Sequence, residues 1–120
     1  MAAHDIPYVA QTVVGNWRDL TTKVQKALSK DGPTFINILA PCRLGWGCPP
    51  EKTTEIGRLA AETCFWPLYE VDEGVHKLTY KPKEKKPVVE VLKLQSRFKH
   101  LFKKGNESVL EDIQKEIDKK

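Results

Sequence analysis

The sequence predicts an α/β fold in which helices cover a short parallel sheet, and three stretches predict it. Residues 6–14, IPYVAQTVV, form a strand pattern led in by Pro7. Residues 34–40, TFINILA, are nearly continuous apolar sequence with β-branched members, the pattern of a strand covered on both faces. Between them, apolar residues recur at helical spacing. Strand, helix and strand in that order make one unit of a parallel sheet.

The elements follow in order. Gly15 breaks the first strand. Asn16 suits an N-cap, with Asp19 three residues later in the first turn. Trp17, Leu20, Val24, Ala27 and Leu28 form the expected inner stripe of the first helix, and Lys23, Lys26 and Lys30 its wet face. Gly32 and Pro33 stop it. The second strand runs into LAPCRLGWGCPP (39–50). A second helix is expected from about Thr53 to Phe65, with Ile56, Leu59, Ala60, Thr63 and Cys64 inward, ended by Trp66 and Pro67.

The remainder changes character. Leu68–Glu70 extends briefly, VDEG (71–74) turns, VHKLTY (75–80) has a strand pattern and KPKEKK (81–86) is a charged turn. PVVEVLKL (87–94) is expected as a further strand, pairing with 75–80 as an antiparallel hairpin. SRFKHLF makes a helical turn or two. Ser108 with Glu111 forms a capping box for a last helix, lined by Val109, Ile113 and Ile117. Two parallel strands are a poor complete sheet. The stretch therefore reads as the closing part of a larger α/β domain, or as a subunit that never works alone.

Composition bounds the function. The chain has 120 residues and a formal net charge of +4, from 20 basic and 16 acidic side chains. That mild excess permits an acidic partner without demanding nucleic acid. Most of it lies in KPKEKK and RFKHLFKK (97–104). No apolar run approaches bilayer length, and the N-terminal residues lack the basic-then-apolar pattern of a secretory signal. Three cysteines without a secreted-framework spacing fit a reducing compartment, so a cytoplasmic protein with no membrane contact is expected.

The thiols carry the chemical question. Cys42 lies just past the second strand, where sheet enzymes place their chemistry. Cys48 lies further out in the loop. Cys64 falls on the buried stripe of the second helix, as a small hydrophobe. With three cysteines and no CxxC pair, the chain cannot by itself complete a four-cysteine cluster or zinc site, or form a thioredoxin-like pair. His4, His76 and His100 have no recognisable catalytic partner, and no catalytic residue is assigned. RFKHLFKK interleaves aromatics with charge as single-strand nucleic-acid grooves do. The same pattern packs Phe98, Leu101 and Phe102 inward, which is the expectation, with no nucleic-acid partner.

Beyond these physical readings, APCRLGWGCPPEKTTEIGRLAAET resembles the segment after a core strand in the thiamine-diphosphate-binding beta subunit of 2-oxoacid:ferredoxin oxidoreductases, most of all the pyruvate enzymes. IPYVAQTVVGNWRDL upstream, and WPLYEVDEG and KPVVEVLKLQSRFKHL downstream, resemble its flanking regions, so the likeness covers essentially the whole chain. It implies the C-terminal portion of such a subunit: the end of the thiamine-diphosphate-binding parallel-sheet domain over 1–70 and a strand and helix extension over 71–120. It implies that Cys42, in ILAPC, is the last ligand of a [4Fe–4S] cluster whose other three ligands belong to earlier beta-subunit sequence. The stretch that holds Mg2+ and thiamine diphosphate also belongs there, so the chain alone is expected to be inactive. The implied reaction is oxidative decarboxylation of a 2-oxoacid to acyl-CoA with reduction of ferredoxin. Its partners are the rest of the beta subunit, the other oxidoreductase subunits, ferredoxin and coenzyme A. Arg43 stands where the family usually has proline, and Cys48 has no family role. The alternative is a non-catalytic structural or protein-interaction domain derived from that fold.

Overall fold

A computed structural model describes residues 1–119. Strand β1 (Tyr8–Val13) leads through Gly15 into helix α1 (Trp17–Leu28), and β2 (Thr34–Leu39) follows. A short helix α2 (Arg43–Trp46) and a 3-10 turn at Pro50–Lys52 precede α3 (Thr53–Glu62). Strands β3 (Tyr69–Asp72) and β4 (Val75–Leu78) come next. The chain then forms a helical turn α4 (Val89–Leu92), a 3-10 segment (Ser96–Phe102) and helix α5 (Glu107–Asp118). The sheet is open, with order β2-β1-β3-β4. β1 and β2 are parallel, as the strand–helix–strand order predicts, while β3 and β4 add antiparallel partners. The fold is mixed α/β.

Residues 87–94 are not a strand. Val88, Val91 and Leu92 bury at helical spacing against α3, and PVVEVLKL fits either period until that neighbour selects one. The partner of β4 is instead β3, joined by Glu73 and Gly74. Both have left-handed backbone (φ 47° and 79°), the conformation that closes a two-residue hairpin with the right twist. The capping box at Ser108 does not form either. α5 starts two residues earlier, with Asn106 at its cap position making no side-chain cap bond. The Glu107 carboxylate accepts the Gly105 N–H at 2.9 Å.

Helix α1 is turned differently from the expectation. Asn16 does cap it, accepting the Asp19 N–H at 3.3 Å. Yet Lys23 is only 1% exposed, while Trp17 and Leu28 are 66% and 82% exposed. The reason lies in β3, whose Glu70 and Asp72 are cross-strand partners of Ala10 and Tyr8 and share their face. Lys26 reaches Glu70 at 2.6 Å and Lys30 pairs with Asp72, so the lysine stripe faces carboxylates rather than water. Lys23 donates to the Gln11 carbonyl (2.7 Å), the Asp19 carboxylate (2.7 Å) and the Thr79 hydroxyl (2.8 Å), which satisfies all three of its protons. The Thr12 hydroxyl completes the group, donating to Asp19 at 2.6 Å.

These pairs set an acid limit. Burial pushes the Glu70 pKa up, but hydrogen bonds from Lys26 and Tyr8 outweigh it and hold the carboxyl below its ordinary value. The ion pair with Lys30 lowers Asp72 in the same sense. A carboxyl depressed by folding contributes stability above its unfolded pKa and loses it as the pH falls through the folded one. The melting temperature is expected to hold steady above about pH 5 and to fall as the pH drops below about 4. With Lys26→Met, only the Tyr8 hydrogen bond and the Lys23 charge still oppose burial at Glu70, and the acid loss should shrink. Melting curves across pH for both chains check this.

β2 ends the sheet, and its other edge has no strand beside it among the described residues. Phe35 and Ile38 are exposed. The expectation of a strand covered on both faces is therefore not met. The core falls in three parts. Tyr8, Ala10 and Ala27 pack between sheet and α1. Val13, Ala61 and Leu68 pack between sheet and α3. The largest part joins α3 to α4 and α5, through Ile56, Leu59, Ala60, Val88, Val91, Leu92 and Ile117. The β1–α1 turn presses on α3 so closely that a Cβ on Gly15 would lie 2.4 Å from the Arg58 nitrogen.

Candidate metal centre

Cys42 follows β2 by three residues and caps the first turn of α2. Its backbone is extended (φ −85°, ψ 112°), and its carbonyl accepts the Trp46 N–H at 2.9 Å. The thiol is free and exposed, and its Sγ accepts the Gly45 N–H at 3.3 Å. A Cβ on Gly45 would lie 3.4 Å from that sulfur, so the glycine leaves the approach open. The sulfur therefore sits exposed, with one N–H donor, at a place set by the strand that ends three residues earlier.

The other two cysteines are placed elsewhere. Cys48 is 5% exposed and belongs to the main core, rather than sitting further out in the loop. Cys64 lies beyond the C-cap of α3, half-buried against the same core, with left-handed backbone at φ 57°. It occupies the usual glycine position after a helix rather than the helix stripe. Cys64→Ala keeps that strained backbone and loses the sulfur contacts, so a destabilisation of about 1–2 kcal/mol is expected. Cys64→Gly should come closer to the parent, because glycine relieves about 1 kcal/mol of left-handed strain. Urea denaturation of both variants checks the order. Among the described residues, no three His, Cys, Asp or Glu side chains converge on a point that could hold a metal.

The Cys42 loop is clamped from the far end of the chain. Gly47 has left-handed backbone (φ 61°), and its carbonyl accepts the Ser96 N–H at 3.1 Å. A Cβ there would lie 1.7 Å from the Ser96 hydroxyl oxygen and 3.0 Å from the Ser96 Cβ, so a side chain would have to turn that hydroxyl aside as well as accept left-handed backbone. The Arg97 guanidinium stacks on Trp46 at 4.1 Å and on Phe98 at 4.7 Å. Its Nε donates to the Gln95 side-chain oxygen at 2.9 Å. Gln95 is itself buried and donates to the Val91 carbonyl at 2.8 Å. Burial pushes the Arg97 pKa down. Sequence reading missed Trp46, Gln95 and Arg97 as a unit. They are about fifty positions apart, and only the glycines flanking Trp46 hinted at a close approach.

His4, His76 and His100 are all exposed. In RFKHLFKK, Phe98 and Leu101 pack against the core as expected, but Phe102 is 41% exposed rather than turned inward.

No protein-family model matches the chain. Among curated proteins it is 54% identical over 120 residues to the pyruvate synthase subunit PorB of Methanocaldococcus jannaschii, an alignment that takes in all of this chain and 39% of that protein. It is 50% identical over 115 residues to the PorB of Methanosarcina barkeri, across 95% of this chain and 39% of the relative. It is also 45% identical over 107 residues to the ketoisovalerate oxidoreductase subunit VorB of Pyrococcus abyssi, across 88% of this chain and 34% of the relative. The chain thus spans well under half the length of the relatives it matches.

Proposed function

Because the chain belongs to the family of 2-oxoacid:ferredoxin oxidoreductase beta subunits that includes PorB and VorB, we propose that it is the C-terminal portion of such a subunit, inactive alone and active as part of a cytoplasmic complex. In this reading 1–70 closes the thiamine-diphosphate-binding domain and 71–120 is its extension. Cys42 supplies one thiolate to a [4Fe–4S] cluster, and the other ligands come from the rest of the subunit. Such a cluster takes up and passes on single electrons. The whole enzyme would decarboxylate a 2-oxoacid, pyruvate first, using thiamine diphosphate and Mg2+, with coenzyme A as acyl acceptor and ferredoxin as electron acceptor.

The observation that carries the proposal is the contrast among three thiols. Cys42 is exposed, free and fixed past a strand end, with an N–H on its sulfur, while Cys48 is buried in the core and Cys64 half-buried against it. Among the described residues no three metal-ligating side chains converge, which favours a shared cluster over one held by this chain alone. The residues present do the positioning. β2 sets the height of Cys42. Gly45 directs its N–H at the sulfur. Gly47, Ser96 and Arg97 hold the loop against movement, as a ligand with little geometric slack needs. The apolar side chains left in solvent, Trp17, Leu28, Phe35 and Ile38, and the unpaired edge of β2 offer a seat for the remainder of the domain.

The test is reconstitution with a polypeptide carrying the rest of the subunit. Cys42→Ser is expected to lose or degrade the cluster, and Cys48→Ser to keep it. The readouts are iron per complex and the low-temperature paramagnetic signal of the reduced cluster. Full, unchanged clusters in both variants would overturn the assignment and favour a non-catalytic interaction domain. The purified chain, given thiamine diphosphate, Mg2+, coenzyme A and an electron acceptor, is expected to turn over no pyruvate.

A further inference from the structure

Helix α2 is a single turn, Arg43–Trp46, and so short a helix does not hold itself in water. Its bonds run back to the cysteine. The Trp46 N–H donates to the Cys42 carbonyl at 2.9 Å, and the Cys48 N–H to the Arg43 carbonyl at 3.1 Å. Contacts from outside keep the turn wound. Cys48, just beyond it, is buried in the main core. The Arg97 guanidinium lies 4.1 Å over the Trp46 ring and 4.7 Å over that of Phe98. The guanidinium plane is itself fixed. Its Nε donates to the Gln95 side-chain oxygen at 2.9 Å, and the buried Gln95 donates to the Val91 carbonyl at 2.8 Å. Val91 belongs to α4 and is fully buried in the same core as Ile56 of α3. A line of contacts thus runs from the main core through Gln95 and Arg97 to Trp46 and, by one backbone hydrogen bond, to Cys42. Every link lies within residues 42–98 and is a contact made, not a surface left open.

We propose that Arg97 is a positioning residue for Cys42: through the Trp46 stack, the C-terminal extension sets where the cysteine sulfur stands and how little it moves. This rests on the reading of Cys42 as a cluster ligand, and it gives the extension a part in the site. Geometry matters here more than charge. A guanidinium lies flat on an indole face and keeps its Nε for Gln95, whereas an ammonium has no plane to stack and no donor at that place. The Gly45 N–H that reaches the Cys42 sulfur belongs to the same turn, so a loosened turn loosens that bond as well. Reduction potentials of iron–sulfur clusters respond to hydrogen bonds at sulfur and to solvent, so the clamp should be readable in the cluster's own properties.

The test uses the chain assembled with a polypeptide carrying the rest of the subunit, before and after cluster loading. Arg97→Lys and Arg97→Gln should each speed amide exchange over residues 44–48 by about tenfold or more, read by mass spectrometry. Amides of α3 should exchange as in the parent, which is the folding control. Lys99→Gln removes a charge two residues on that stacks on neither ring, and should change the 44–48 exchange by less than about threefold. After loading, iron per complex should match the parent. The paramagnetic signal of the reduced cluster should broaden and its reduction potential shift in both Arg97 variants, and not in Lys99→Gln. Parent-like exchange in Arg97→Lys would overturn the clamp. Faster exchange with an unchanged signal and potential would overturn its action on Cys42. A Cys42→Ser complex that kept its iron would remove the ligand reading on which the proposal rests, a failure seen in iron content rather than in exchange.

Discussion

Gly15→Ala is expected to be the most damaging one-atom change in the chain. The new Cβ would stand 2.4 Å from the Arg58 nitrogen, and 2.8 Å from both the Gly57 carbonyl carbon and the Thr54 carbonyl oxygen. All three atoms are helix backbone, which cannot swing aside as a side-chain tip can. Either α3 moves as a unit or the β1–α1 turn does, and α3 carries both the sheet-side core and the main core. Overpacking in a core costs about 1–3 kcal/mol where side chains give way, and this contact should reach or exceed the upper end. Gly57→Ala supplies the comparison. Its Cβ would meet the Val13 methyl at 3.2 Å and the Gly15 nitrogen at 3.3 Å. There, about 1 kcal/mol of helix propensity gained from alanine opposes a milder clash. Urea denaturation should place Gly15→Ala far below Gly57→Ala. Equal midpoints would mean that the turn does not press on α3 as described.

The second large effect is expected at Lys23. Lys23→Met removes a buried ammonium and leaves the Asp19 carboxylate, only 11% exposed, facing the Thr12 and Thr79 hydroxyls alone. The Gln11 carbonyl loses its donor in the same step. Breaking a buried ion pair from one side costs about 3–5 kcal/mol, a large fraction of what holds a small domain together. Replacing both partners with apolar residues, Lys23→Met with Asp19→Leu, should recover part of that loss, because no stranded charge remains. A double-mutant cycle read by denaturation checks it. A single variant that unfolds at the parent midpoint would show the group to be solvated.

These same residues mark the boundary of what local pattern conveys. The parallel pairing of β1 with β2, the Asn16 cap and α3 were legible, because each depends on residues within a few positions of one another. The rotation of α1 was not. Its lysines point inward because β3, more than forty residues later, places Glu70 and Asp72 on the same face. Residues 87–94 failed for a similar reason, since α3 decides whether valines at that spacing bury as strand or helix. At the candidate site, the position of Cys42 followed from the strand before it. The burial of Cys48 depends on Val88, Val91 and Leu92, and the clamp through Arg97 on a cation finding an aromatic face across the fold. Neither leaves a local periodic signal.

The bare edge of β2 has a kinetic consequence. A strand with free N–H and C=O groups and exposed Phe35 and Ile38 will pair with whatever strand reaches it first. Residues 1–120 produced by themselves are therefore expected to associate edge to edge, at a rate that rises with the square of their concentration. A strand supplied to β2 should compete with that association, so the loss should shrink on dilution and when such a strand is present during folding.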